Sequence, residues 1–208
     1  MAVILSALYV ILSFIPISPF IGGPSMLSLN LIVVPIIAIM LSPPYALMSA
    51  FVGCLVMFFL VPTALANIFG PMVFLMPMAG AAVGSVAARA KSWKEEAIIL
   101  TYFVIMILLF LVKIPQVVYW TFPHALAAIL ILILHKILNP KLKIIGLIFL
   151  STMAEQACMM VLASWYLALP WQTFVIAFPL MLYERILATI GGSILLIGIE
   201  RAFKILSE

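Results

Sequence analysis

Charge is so scarce in this sequence that only one solvent suits it. Ten Lys and Arg and six acidic residues, all Glu, are spread over 208 positions, and 68% of the residues are apolar. A water-soluble domain carries about 25% charged residues because its surface must be wetted. A chain with 8% cannot cover itself in water, whereas a bilayer makes no such demand. Most of the charges fall in three short stretches, Arg89 to Glu96, His135 to Lys143 and Glu200 to Lys204. Glu155, Glu184 and Arg185 instead interrupt long apolar runs.

Those runs cover about 2–20, 26–42, 45–61, 71–90, 97–113, 122–138, 144–166 and 174–203. A hydrocarbon core of roughly 30 Å takes about 17–25 apolar residues per helix. The runs therefore predict about eight helical segments, the shorter ones spanning only in part. A transmembrane barrel is excluded, because its strands would alternate apolar and polar residues. Connections are short and often carry proline, as at Pro24, Pro43, Pro62, Pro71, Pro115, Pro123, Pro140 and Pro170. The expectation is an all-α integral membrane protein, a single transmembrane domain over 1–208. The N-terminal run has no basic start and leads straight into another apolar segment, so it reads as a structural helix rather than a signal peptide.

Basic residues orient such a chain, because cytoplasmic loops are enriched in Lys and Arg. With the first segment starting in the cytoplasm, Arg89, Lys91, Lys94, Lys136, Lys141, Lys143, Arg201 and Lys204 all lie inside, and Lys113 alone lies in an outer loop. Both termini are then cytoplasmic, in the cell membrane. Trp120, Trp165 and Trp171 fall near the outer interface, where amphipathic rings settle. The formal charge of +4 is explained by this bias, so nucleic acid is not an expected partner. Cys54 and Cys158 have no CxxC or Cys/His spacing and read as small core residues. The thirteen Met are scattered and suit gap-filling better than soft-metal transport. No metal or cofactor is expected.

Two stretches carry a resemblance. The first runs from AVILSALYVILSFIP through LSLNLIVVPIIAIMLSPPYALMSAFVGCLVMFF to LANIFGPMVFLMPMAGAAVGSVAARAKSWKE. The second is IIGLIFLSTMAEQACMMVLASWYLALP followed by VIAFPLMLYERILATIGGSILLIGIERAFK. In order and spacing they resemble the substrate-binding (S) component of energy-coupling factor vitamin transporters, and the riboflavin-type pattern is the most similar. The resemblance implies a core of six transmembrane helices, with 96–138 an inserted helical pair. It also implies capture of a vitamin-like molecule on the outer side, docking on a membrane-embedded coupling (T) subunit, and nucleotide hydrolysis on separate ATPase subunits. The chain itself has no Walker A pattern, no HExxH and no aspartate, so it is not expected to be an enzyme.

Small residues four apart let helices approach closely in lipid. Ala2 and Ser6, with Ala7 adjacent, match by position the family's docking motif, and internal packing explains them equally well. Ala46-x-x-x-Ala50-x-x-x-Cys54 and Gly80-x-x-x-Gly84-x-x-x-Ala88 read as internal seams, with self-association the alternative.

An ionisable side chain in hydrocarbon costs a few kcal/mol, so it faces a partner or a cavity. Glu155 and Arg185 lie at similar depth, and the resemblance implies that their helices are antiparallel neighbours, so the two are expected to pair. Neighbours on a helix point about 100° apart, so Glu184 and Arg185 cannot serve one partner equally. A structural ion pair, a substrate anchor and a proton relay all remain open. Gln156 and Tyr183 flank these groups. By position in the resembled family, Gly22, Gly23, Pro24 and Asn67 belong to an outer lid, Asn30 reaches the same space, and Trp165 borders it. The inserted pair places Gln116, Tyr119, Trp120 and His124 around an outer turn, with His124 an interfacial polar residue and His135 cytoplasmic and solvated. A stand-alone facilitator or structural membrane protein is the other function class, and it would show either a continuous pore or filled space around the charges.

The topology has a direct test. A cysteine at position 136 should resist an impermeant maleimide added to intact cells, and one at position 113 should react. The reverse pattern overturns the orientation.

Overall fold

A computed structural model describes all residues except 62–64, 135, 138 and 208, and gives the backbone only at 200 and 202–207. The expectation for His135 therefore lies outside the described residues. The chain opens with helix α1 (Ala2–Ser13), a hairpin of β1 (Pro16–Pro19) and β2 (Met26–Ser28), a 3₁₀ turn (Leu29–Ile32) and α2 (Val33–Met40). Then come α3 (Pro43–Leu60), the short α4 (Ala66–Phe69), a 3₁₀ turn (Gly70–Phe74) and α5 (Leu75–Arg89). The rest is α6 (Trp93–Lys113), a 3₁₀ segment (Pro115–Thr121), α7 (Phe122–Leu134), α8 (Pro140–Trp165) and α9 (Trp171–Ser207). Among the described residues six helical spans are long and apolar enough to cross a membrane, and Ala2–Ser13 and Leu29–Met40 are shorter apolar helices. The chain is an all-α, multi-pass membrane bundle.

Proline sets several boundaries. Pro43 starts α3 and Pro140 starts α8, at first-turn positions where the missing N–H would be unsatisfied in any case. Asn139 caps α8 by accepting from the amides of Lys141 and Leu142, and Ser92 caps α6 in a capping box with Glu95. The expected first run of 2–20 is overturned in its second half. Pro16 and Pro19 lack the N–H that a helix needs, so α1 ends at Ser13 and 16–28 folds back as an antiparallel hairpin with Pro16 opposite Ser28.

Helix α8 is the central post. In its most apolar window 72% of residues are buried, against 17% for α6. Helices α2 and α5 pack on α8 through the glycine seam. A Cβ at Gly80 would lie 2.9 Å from Val34 Cγ1 and 3.1 Å from Glu155 Cβ, and one at Gly84 would lie 2.6 Å from Ser151 Cβ and 2.8 Å from Ala38 Cβ. Ala46, Ala50 and Cys54 are fully buried. Both seams are used inside the bundle, since lipid gives no hydrophobic drive and association rests on close packing. Ser151 Oγ adds a bond to the Gly80 carbonyl, 2.9 Å. At one end, Arg89 donates to the Ala38 and Ile39 carbonyls, each at 3.2 Å, satisfying orphan acceptors at the C-terminus of α2.

Most of the stretch 96–138 folds as the helices α6 and α7. It packs on α8 through a separate cluster that includes Ile99, Phe103, Ala127, Ile131, Met153 and Ala157, and Tyr102 donates to the Ala154 carbonyl, 2.7 Å.

Gly84→Ala should cost about 1–3 kcal/mol through overpacking. Gly198→Ala, where an added Cβ meets nothing within 4 Å, should leave stability equal or slightly raised. Thermal unfolding in detergent separates the two, and equal effects would contradict the seam.

Candidate functional site

Arg185 on α9 is the centre of the polar interior. Only 3% of it is exposed, so its guanidinium is held entirely by protein. Nη1 donates to the Thr152 carbonyl at 3.1 Å and to Thr152 Oγ1 at 3.0 Å. The same nitrogen lies 3.9 Å from Glu155 Oε2, and Nη2 lies 3.8 Å from Glu184 Oε2. The expected Glu155–Arg185 pair across two helices is present. Helical spacing explains it, because Thr152 and Glu155 lie three apart on one face of α8.

Glu184 reaches a different partner with its other oxygen. Ser18 of the hairpin, itself buried, donates a hydrogen bond to Glu184 Oε1. This contact fastens the hairpin to the charge cluster. Its turn is wedged among the loops at the same end. Gly22 has φ +148°, a conformation open to glycine, and a Cβ there would fall 2.7 Å from Leu169 Cδ1, while Gly23 abuts Ile68. Phe20 makes an edge contact with Phe69, centroids 5.5 Å apart. The hairpin thus meets both the 66–70 segment and the loop between α8 and α9.

Two cavities of about 40 Å³ each lie under the hairpin, room for about three waters apiece. The first is lined by Phe20, Leu27, Trp120, Gln156, Phe174 and Glu184, among others. The second is lined by Tyr9, Asn30, Met57, Glu155 and Arg185, among others. Leu27 and Met159 border both, so one hairpin side chain and one α8 side chain form the partition. Asn30 Nδ2 donates to Ser13 Oγ at 2.9 Å, and Ser13 Oγ donates to the Tyr9 carbonyl at 2.7 Å. This chain of bonds holds the Asn30 wall. Glu155 Oε2, Gln156 Oε1, Trp120 Nε1 and Arg185 Nε are buried without a hydrogen-bond partner, leaving both hollows with unsatisfied polar lining.

Of the residues proposed from sequence, Asn30, Glu155, Gln156, Glu184 and Arg185 come together here. Trp165 does not. It is half exposed, donates through Nε1 to the Leu109 carbonyl at 2.9 Å, and carries Lys113 Nζ 5.3 Å from its ring centroid. It ties the end of α8 to the end of α6. Tyr183 is 51% exposed on the outer face of α9, because the residue before Glu184 turns about 100° away from it. Asn67 is exposed on α4 and borders neither cavity.

The residues expected to dock are likewise redistributed. Ser6 is buried, with its Oγ 2.9 Å from the Ser49 carbonyl and 3.0 Å from Ser49 Oγ, and Ser49 Oγ donates to the Ala2 carbonyl at 3.0 Å. Ala2 and Ser6 therefore join α1 to α3, while Ala7 is exposed beside Val3, Ile4 and Ile11.

Sequence reasoning missed Ser18 and Thr152, and it placed Trp120 and His124 at the outer interface. Trp120 is buried, not interfacial, with Phe174 at 5.3 Å and Phe178 at 5.5 Å between centroids. His124 is fully buried, and its Nδ1 lies 3.1 Å from the Trp120 carbonyl. Both are drawn inward because the 3₁₀ segment packs its aromatic residues onto α9. Thr152 could have been found from its spacing to Glu155, whereas nothing in the sequence marks Ser18.

Comparison with known proteins adds one relative. The chain is 30% identical over 170 residues to an uncharacterized protein of Methanocaldococcus jannaschii, an alignment covering 76% of this chain and 56% of that protein. The chain thus spans little more than half the length of that relative. No family model matches, and no solved structure matches.

Arg185→Met should cost about 3–5 kcal/mol, since it strands two buried carboxylates. Glu155→Gln should cost about 1 kcal/mol or less, because Arg185 keeps Glu184 and Thr152. Equal losses in detergent unfolding would remove Arg185 from the centre of the network.

Proposed function

We propose that this chain is the substrate-capture (S) subunit of an energy-coupling-factor-type, ATP-driven importer of a vitamin-like small molecule. The observation that carries the reading is the hairpin, which closes over a buried charge cluster and is bonded to it through Ser18 and Glu184. The order of helices and the pattern of the terminal stretches agree with the resembled family, with α6 and α7 as the addition. Hollows with unsatisfied polar lining beside the charges favour capture over a merely structural ion pair.

In this reading the hairpin end faces outward, and both termini are cytoplasmic in the cell membrane, in keeping with the basic residues. Lifting the hairpin withdraws Leu27 and merges the two cavities into one chamber floored by Glu155, Glu184 and Arg185, with Asn30 and Gln156 on its walls. At about 40 Å³ apiece the hollows are too small for a heterocyclic vitamin until that happens. The protein has no catalytic role of its own, and ATP hydrolysis belongs to partner ATPase subunits. The exposed face of α1 around Ala7, Val3 and Ile4 is the surface offered to the coupling subunit. Surrounding lipid covers the rest.

Native mass spectrometry of the protein purified from its host should reveal a bound small molecule. Ser18→Ala, which removes a hydrogen bond to a carboxylate, should hasten its loss about tenfold or more. Preparations that never carry a ligand, from cells grown in rich medium, would count against capture.

A further inference from the structure

We propose that, once the hairpin lifts, the first-cavity side of the chamber receives the positively charged, flat head of an organic cation, and that the pair α6–α7 supplies its specificity through Trp120. This rests on the small-molecule capture reading and names the class of ligand. Charge balance is the first support. Glu155 and Glu184 surround one guanidinium, so the fully ionised cluster carries a formal charge of −1 in a low-dielectric interior. Lys113 sits on Trp165 and Arg89 is spent on the carbonyls of α2, so neither supplies it a second cation. An anionic ligand would enter against two carboxylates. A cation supplies the missing charge.

Placement is the second support. Glu184 lines the first cavity, while Arg185 lines only the second, so a ligand on this side meets the carboxylate, whose Oε1 Ser18 now holds. Around it stand Phe20 of the hairpin, Phe174 of α9 and Trp120 of the inserted pair. Trp is the best aromatic partner for a cation, and desolvation strengthens the attraction. Gln156 supplies an observation independent of charge. It is 2% exposed, lines this cavity, and its Oε1 accepts no hydrogen bond, so it can receive an N–H from the ligand. An aromatic wall, a carboxylate and a free amide oxygen together suit a protonated or quaternary nitrogen heterocycle. Without α6 and α7 the cavity would lack its tryptophan.

The test uses the full chain in detergent and three small probes of similar shape: 1-methylpyridinium, neutral toluene and anionic benzoate. Isothermal titration and melting shifts report affinity. The cation should bind about tenfold or more tighter than toluene, with benzoate weakest. Trp120→Leu should cut the affinity for 1-methylpyridinium about tenfold and leave toluene unchanged, and Trp120→Phe should retain most of it. If Trp120→Leu does not fold, Glu184→Gln decides, because it should bring the cation down to the level of toluene. Equal binding of toluene, or a preference for benzoate, overturns the cation assignment and leaves small-molecule capture standing. Failure of all three probes overturns it too. If native mass spectrometry then also finds no ligand, capture itself falls.

Discussion

A guanidinium in hydrocarbon must be paid for by its surroundings, and Arg185 organises this bundle because the groups that satisfy it come from two helices. Thr152 and Glu155 come from α8, and Glu184 comes from its own helix. Removing Arg185 itself strands two buried carboxylates, which costs far more in a membrane interior than at a surface. The two longest helices are thereby fixed in register at one depth. That register in turn decides where the polar lining of both cavities can be.

The hairpin depends on the same cluster. A two-stranded ribbon is marginal alone, and this one is held by its serine on Glu184 and by glycines pressed against neighbouring loops. Such an element can be fastened or released as a unit. Its attachment to the charge cluster runs through the Ser18–Glu184 hydrogen bond, a contact that a ligand competing for Glu184 could shift. The helical pair α6–α7 acts differently. It packs through its own apolar cluster and reaches the polar interior only at its turn, where Trp120 meets Phe174 and Phe178.

Much of this was legible in the sequence, for reasons that differ by element. Eight apolar runs were plain because lipid demands length and continuity, and the Glu155–Arg185 pair followed from equal depth together with the helix adjacency that the resemblance implied. The hairpin was not legible as strands, because its residues are as apolar as the helices around it; only Pro16 and Pro19 hinted that α1 stops early. Trp120 and Trp165 show the limit of interfacial reasoning. Both were assigned to the outer boundary, yet one is buried in an aromatic cluster and the other braces two helix ends. Composition gives a tryptophan's preferred depth, whereas its neighbours decide which way it turns. The same holds for Ser6, whose small size suits an outside partner as well as it suits Ser49.

The central claim is that the hairpin is a movable cover over the Arg185 cluster. Electron–electron spin distances between labels at exposed positions 24 and 172 test it most directly, since these lie on the hairpin turn and at the start of α9. The account predicts a short distance in ligand-bound protein and a second, longer population once ligand is removed. One narrow distance, unchanged with and without ligand, would contradict it.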